Sequence, residues 1–213
     1  MKIAAIVPAF NEEKRICNVL EVLSKSNIID EIIVVDDGSS DNTYGIARLY
    51  TKNVLSLSKN IGKGGAIIKG LQVCDADIMI LLDADLVGLT EEHILNLLMP
   101  VIKLEVDTTV GVFQAGRLFT DLAQKIAPFL SGQRVITKSM ADDIHSFEIT
   151  KYGFEVAISR YIKYQKLKVK KVVLFEMTHV MKEEKMGLIR GSNSRIKMYW
   201  QIVKALSFDI KGR

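Results

Sequence analysis

Apolar and polar positions in the first half of the chain form a repeating pattern. Lys2–Val7 is a short β-rich run that reaches Pro8. Over Glu13–Lys25, Ile16, Leu20 and Leu23 recur at helical spacing, and Val19 and Val22 widen the stripe. Glu31–Val35 is a continuous apolar run that stops at Asp36-Asp37-Gly38. Ser40 or Asp41 can cap a helix to about Tyr50, because a side-chain oxygen there accepts from the unbonded first N–H groups. Val54–Leu57 predicts a short strand. Gly62-Lys63-Gly64-Gly65 opens a helix to about Val73, and Asp77–Leu82 predicts a strand closed by Asp83-Ala84-Asp85. Thr90 caps the next helix, whose first turn carries Glu91 and Glu92, where the helix dipole favours acids.

These are four rounds of strand then helix. The strands are unbroken apolar runs rather than alternating ones, as expected when helices cover both faces of a parallel sheet. The fold class is therefore α/β, a mostly parallel central sheet flanked by helices. In such sheets ligands bind in the crevice beyond the carboxyl ends of the strands. Pro8–Glu13, Asp36–Ser39, Lys59–Gly65 and Asp83–Asp85 all lie at those ends. The second half is less regular. Strands are expected at Thr109–Phe113, Arg134–Thr137 and Lys170–Phe175, helices at Leu118–Phe129 and Phe154–Tyr164, and an extended stretch at Met177–Val180. Ser192 or Asn193 caps a last amphipathic helix, Arg195–Phe208.

Length and composition narrow the class. A chain of 213 residues, 48% hydrophobic and 25% charged, supports one full core and gives no sign of disorder or of a second independent domain. Cys17 and Cys74 stand in no metal-ligand spacing and read as two buried, reduced thiols, which suits a cytoplasmic protein. No signal-peptide pattern is present, and no apolar run approaches the roughly 18 residues of a membrane span. A net charge of +4 permits anionic ligands without pointing to nucleic acid.

Three loops carry candidate chemistry. Asp83 and Asp85, one residue apart past a strand end, suit a hard divalent cation such as Mg2+ or Mn2+ whose other ligands are phosphate oxygens. Such a cation would stabilise a departing diphosphate. Alone, the tripeptide reads better as an acidic turn; the flanking apolar strand and the other acidic loop reverse that preference. Asp36 or Asp37 could accept from a base or a ribose hydroxyl, and Asp36-Asp37-Gly38-Ser39 also suits a turn with a helix cap. Lys63 lies among glycines at a helix start, where backbone N–H groups and an ammonium can meet a phosphate. A surface turn has the same composition, and neither a P-loop nor a G-x-G-x-x-G is present.

Taken in order, Val7-Pro8-Ala9-Phe10-Asn11-Glu12-Glu13, Val34-Val35-Asp36-Asp37-Gly38-Ser39-Ser40-Asp41, Asn60-Ile61-Gly62-Lys63-Gly64 and Leu82-Asp83-Ala84-Asp85 resemble the family-2 type of glycosyltransferase with a GT-A fold. The resemblance implies that Pro8, Ala9 and Glu12 or Glu13 line the nucleoside, that Asp37 or Asp36 reads the base, that Lys63 approaches the nucleotide and that Asp85 binds metal. It implies one GT-A domain over 1–213, with a nucleotide-sugar half at 1–107 and an acceptor half at 108–213. Further on, Gly116-Arg117, Leu130-Ser131-Gly132-Gln133, Tyr152-Gly153-Phe154-Glu155 and Thr178-His179 resemble segments of the glucosyl-3-phosphoglycerate synthases. That resemblance implies a retaining enzyme. Gly116 and Arg117 would hold the acceptor's phosphate or carboxylate, Glu155 would line the sugar site, and His179 would complete the metal shell. Thr120 is a further acceptor candidate, one residue farther from Arg117 than in that family.

Bland readings stand beside these. Arg117 could pair with Asp121 at i, i+4, Glu155 could be a helix-start acid, and His179 could be structural. An inverting enzyme would instead need a base, for which Asp142 and Asp143 are candidates. The leading expectation is a metal-dependent glycosyltransferase using a UDP- or GDP-linked sugar and a hydroxyl or phosphate acceptor. The alternative is a polyprenyl-phosphate glycosyltransferase at the membrane surface. The basic stretch Arg160, Lys163, Lys166, Lys168, Lys170 and Lys171 reads first as a solvated face; with the Arg195–Phe208 stripe it could also touch an anionic membrane, but core packing, including at a homodimer interface, is the preferred reading of that stripe. A nucleotidyltransferase would want glycine and basic residues in the first loop, which Pro8–Glu13 lacks, and a non-catalytic nucleotide-binding relative would not need both Asp83 and Asp85.

Overall fold

β1 (Ile3–Ala9) is buried at every residue and is flanked by β2 (Glu31–Asp36) and β4 (Ile78–Leu81), both parallel to it. The structure, a computed structural model, describes residues 1–113, 131–146 and 154–179. The chain alternates these strands with α1 (Ile16–Lys25), α2 (Thr43–Ala47), β3 (Asn53–Ser56) and α3 (Lys63–Val73). Then follow β5 (Leu86–Val87), α4 (Glu91–Ile102), β6 (Thr108–Phe113), β7 (Arg134–Thr137), α5 (Lys138–Ser146), α6 (Phe154–Tyr164), β8 (Val169–Leu174) and β9 (Thr178–His179). The main sheet runs β3-β2-β1-β4-β7-β6-β8, and β5 pairs with β9 in a separate ribbon. β7 is antiparallel to both β4 and β6, so the expected mostly parallel sheet carries one reversed strand, the fifth of its seven.

Each sheet face holds an apolar core. One packs α1 and α4 (Ile16, Leu20, Leu23, Ile94, Leu97, Leu98) against Ile78, Ile80 and Val135. The other packs α3, α5 and α6 (Ile67, Leu71, Met140, Ile144, Phe154, Ile158) against Met79, Leu81 and Ile136. Successive strand residues feed opposite cores, which is why the central strands read as unbroken apolar runs.

Several expectations shift. α2 ends at Ala47 rather than near Tyr50, because the next bonds, Leu49 N to Ile46 O and Tyr50 N to Ala47 O, tighten to an i→i−3 turn. α5 was not predicted: Asp142 and Asp143 obscure the helical spacing of the buried Met140, Ala141 and Ile144. Cys74 is buried as expected, but Cys17 is only half-buried, on the flank of α1 away from Ile16 and Leu20. The helix expected at Leu118–Phe129 and the Arg195–Phe208 segment lie outside the described residues. No helix among the described residues is long and apolar enough to cross a membrane.

α3 approaches the sheet most closely at Gly70. A Cβ there would stand 2.6 Å from Ile6 Cγ2 and 3.1 Å from Val35 Cγ2. Both neighbours are β-branched strand residues with little freedom to move. Alanine would gain about 1 kcal/mol of helix propensity, but overpacking a filled core costs about 1–3 kcal/mol. Gly70→Ala is therefore expected to destabilise the protein by up to about 2 kcal/mol, read as a lower urea midpoint at unchanged slope.

Candidate active site

The carboxyl ends of β1, β2 and β4 meet the start of α3, and each loop there is tied to another. Pro8 and Ala9 end β1 opposite Val35 and Asp36. Pro8 lies beyond the last residue that β4 pairs, Ile6 opposite Leu81, so its missing N–H interrupts no bond on that side. Glu12 and Glu13 brace the neighbouring loop. Thr43 Oγ1 accepts from Glu12 N at 2.8 Å, Asp41 accepts from Glu13 N at 3.2 Å, and Glu13 accepts from Asn42 N at 3.0 Å. Glu12 also meets Arg15 at 3.4 Å.

Asp36 and Asp37 are both buried, and both are engaged. Asp36 accepts from Ser39 N at 3.1 Å and Ser56 Oγ at 3.2 Å. Asp37 accepts from Ile61 N at 2.8 Å and Gly62 N at 2.9 Å. Asp37 thus fixes the loop that enters α3 at Gly62, whose φ of +87° is open to glycine at no steric cost. The second-strand loop and the lysine loop form one hydrogen-bonded unit.

That unit delivers Lys63. Its Nζ stands 2.7 Å from Asp83 Oδ1 and 3.3 Å from Glu155 Oε1. A cation at a helix N-terminus opposes the dipole, so Lys63 depends on these carboxylates, whereas Glu155 in the first turn of α6 is favoured by it. Desolvation pulls the Lys63 ammonium down, yet Asp83 and Glu155 together outweigh it and hold the group above its ordinary range. Two glycines make the bridge possible. A Cβ on Gly64 would lie 3.0 Å from Phe154 N, so glycine there lets α3 and α6 touch at their starts. A Cβ on Gly132 would fall onto Lys63 Nζ and lie 2.7 Å from Asp83 Oδ1. The sequence offered Gly132 within Leu130-Ser131-Gly132-Gln133 without giving it a role of its own.

Asp83 and Asp85 flank Ala84, which is buried and pins the turn while both aspartates stay half-buried. Their hard oxygens suit Mg2+ or Mn2+. No group of three or more metal-binding side chains gathers among the described residues. The backbone of His179 pairs with Leu86, next to Asp85. Gly116, Arg117 and Thr120 lie outside the described residues.

Asp142 and Asp143 are placed elsewhere. Asp142 meets Lys138 at 3.8 Å, and Lys138 also reaches Asp75, at the opposite end of β4 from Asp83. Asp143 accepts from the Tyr161 hydroxyl, six residues and about 9 Å along α6 from Glu155. Burial first, and then this bond, push the Tyr161 phenol to about 12. Neither aspartate stands with the acidic motif as an acceptor base.

Comparison with known proteins identifies the family and the fold. The family description "Glycosyl transferase family 2" matches residues 4–160. A UDP-N-acetylglucosamine–dolichyl-phosphate N-acetylglucosaminyltransferase of Methanococcus voltae is 40% identical over 100 residues, 38% of this chain and 39% of that one. A glucosyl-3-phosphoglycerate synthase of Petrotoga mobilis is 32% identical over 109 residues, 46% of this chain and 34% of that one. The chain thus spans well under half the length of the curated relatives it matches. Among solved structures, glucosyl-3-phosphoglycerate synthase from Mycobacterium tuberculosis in complex with Mn2+ and UDP-glucose superposes with a TM-score of 0.71 at 22% identity, covering 93% of this chain and 77% of that one. That likeness establishes the shared fold. With most of its described sheet inside the matched range, the chain belongs to glycosyl transferase family 2.

Proposed function

We propose that the protein transfers a sugar from a nucleoside-diphosphate donor, UDP- or GDP-linked, to a hydroxyl or phosphate acceptor, with Mg2+ or Mn2+. The observation that carries this reading is the junction of Asp83, Lys63 and Glu155 at the carboxyl end of β4, closed by Gly132. Asp85, with Asp83 and His179, would hold the cation, which supplies Lewis-acid stabilisation of the departing diphosphate. The ordered Asp36–Ser39 and Lys59–Gly62 loops leave the nucleoside a preformed edge beside Pro8 and Ala9. Lys63 would offer its charge to a phosphate oxygen, and Glu155 would accept from a sugar hydroxyl. Gly116, Arg117 and Thr120 are proposed to face the acceptor. The Methanococcus relative, named for a UDP-sugar, and the Mycobacterium structure with Mn2+ and UDP-glucose support the donor class.

A polyprenyl-phosphate acceptor at a membrane surface is the second reading. The Methanococcus relative is named for a dolichyl phosphate, and the edge strand β8 exposes Val169 and Val173, with Phe175 just beyond, beside Lys170 and Lys171. Co-sedimentation with phosphatidylglycerol vesicles, weakening as salt rises, is the expected result under this reading. Equal recovery with and without vesicles would exclude it.

Two further outcomes test the leading reading. Calorimetric titration should show UDP or GDP binding that requires Mn2+, weakened at least about tenfold in Asp85→Ala. Metal-independent binding, or an unchanged Asp85→Ala, would overturn it. Gly132→Ala pushes against the ends of two polar side chains rather than against backbone. It should leave the thermal midpoint nearly unchanged and lower kcat/KM by about tenfold or more, because Lys63 and Asp83 must separate.

A further inference from the structure

Arg134 is the first residue of β7, opposite Leu81 and so two residues below the level of Asp83. It shares a sheet face with Ile136, the face that α3 and α6 cover, and Glu155 is near enough to act on its charge. The residue is only 3% exposed. Among the described residues no hydrogen bond or ion pair holds its guanidinium, while Glu155 gives its ion pair to Lys63. Burial pulls the guanidinium down to about 10, and the nearby Glu155 offsets this only in part. A buried charge without a bonded partner is costly, and folding alone gives no reason to keep it.

We propose that Arg134 is a donor-sugar binding residue, its guanidinium donating to the hydroxyls of the transferred sugar while Glu155 accepts from them. This rests on the glycosyl-transfer reading. A guanidinium can only donate and a carboxylate can only accept, whereas a hydroxyl does both. A sugar hydroxyl between the two groups therefore satisfies each, and adjacent hydroxyls match the planar fork of an arginine. A phosphate would suit Arg134 alone, but Glu155 and Asp83 on the same side of the site repel it. The neutral polyol is the ligand that suits all four charged groups together.

The test compares wild type, Arg134→Met and Arg134→Lys by calorimetry with Mn2+, using UDP and UDP-glucose, or GDP and GDP-mannose if the guanine nucleotide is the one bound. Arg134→Met keeps the volume and removes the donors. It should bind the bare nucleotide within about twofold of wild type and the sugar nucleotide at least about tenfold more weakly. The ligand-free thermal midpoint should stay level or rise, because an unpaired buried charge is gone. Arg134→Lys keeps the charge without the fork and should recover part of the sugar increment. It carries the same comparison if the methionine variant does not fold. An unchanged ratio of sugar-nucleotide to nucleotide affinity overturns the proposal, whatever happens to the thermal midpoint. Equal losses for both ligands overturn it in favour of a phosphate contact. Wild type that binds neither nucleotide removes the glycosyl-transfer reading itself, and this proposal with it.

Discussion

The strands at the heart of this sheet are covered on both faces, and that constraint decides where chemistry can stand. β1 is buried along its full length and β4 at every residue, so a charge within either would meet apolar core above or below. Ionisable groups are confined to the strand ends, where loops admit water. The parallel direction of β1, β2 and β4 then gathers three such ends on one edge. Asp36 and Asp37 past β2 and Asp83 and Asp85 past β4 share that edge as a consequence of topology, although the two pairs lie far apart in sequence.

At that edge the charges are balanced across elements rather than within them. Lys63 comes from α3, Asp83 from the end of β4, Glu155 from α6 and Arg134 from β7. Two cations and two anions share the space, so a neutral or singly compensated ligand can enter without leaving a large net charge behind. The packing that permits this is carried by absent side chains. Gly64 lets two helix starts touch, and Gly132 lets a loop lie against the Lys63–Asp83 pair.

The four strand–helix rounds were legible because period and punctuation agree: apolar runs end at Asp36-Asp37-Gly38 and at Asp83-Ala84-Asp85, and Thr90 caps α4 through His93 N. The acidic motif's place at a strand end was legible for the same reason. The bridge was not. Lys63, Asp83 and Glu155 are separated by long stretches of chain, and no spacing rule joins them. Arg134 was visible only as the first residue of a β-like run, and nothing local to Arg-Val-Ile-Thr marks it as buried. Asp142 and Asp143 show the converse. Adjacent acids suggested chemistry, but the antiparallel β7 starts α5 beside the opposite end of β4 and carries them away from the site.

The register of β9 shows how much can rest on contacts distant in sequence. A two-residue strand has too few ladder bonds to fix its own alignment, and a slip of one residue would present the other side chain. Two contacts outside the ladder restrain it. His93 Nδ1 accepts from Thr90 N at 3.2 Å, so the proton lies on Nε2, which donates to Phe175 O at 2.9 Å. Gly88, at φ +80°, leaves room for Glu176 O, which would stand 2.5 Å from a Cβ. One contact anchors the end of β8, the other the turn that follows, and the chain can then reach β5 in one alignment. His179 falls opposite Leu86, the neighbour of Asp85. His93 is thus structural, and its bond to a backbone carbonyl helps hold the backbone of His179 beside the acidic motif.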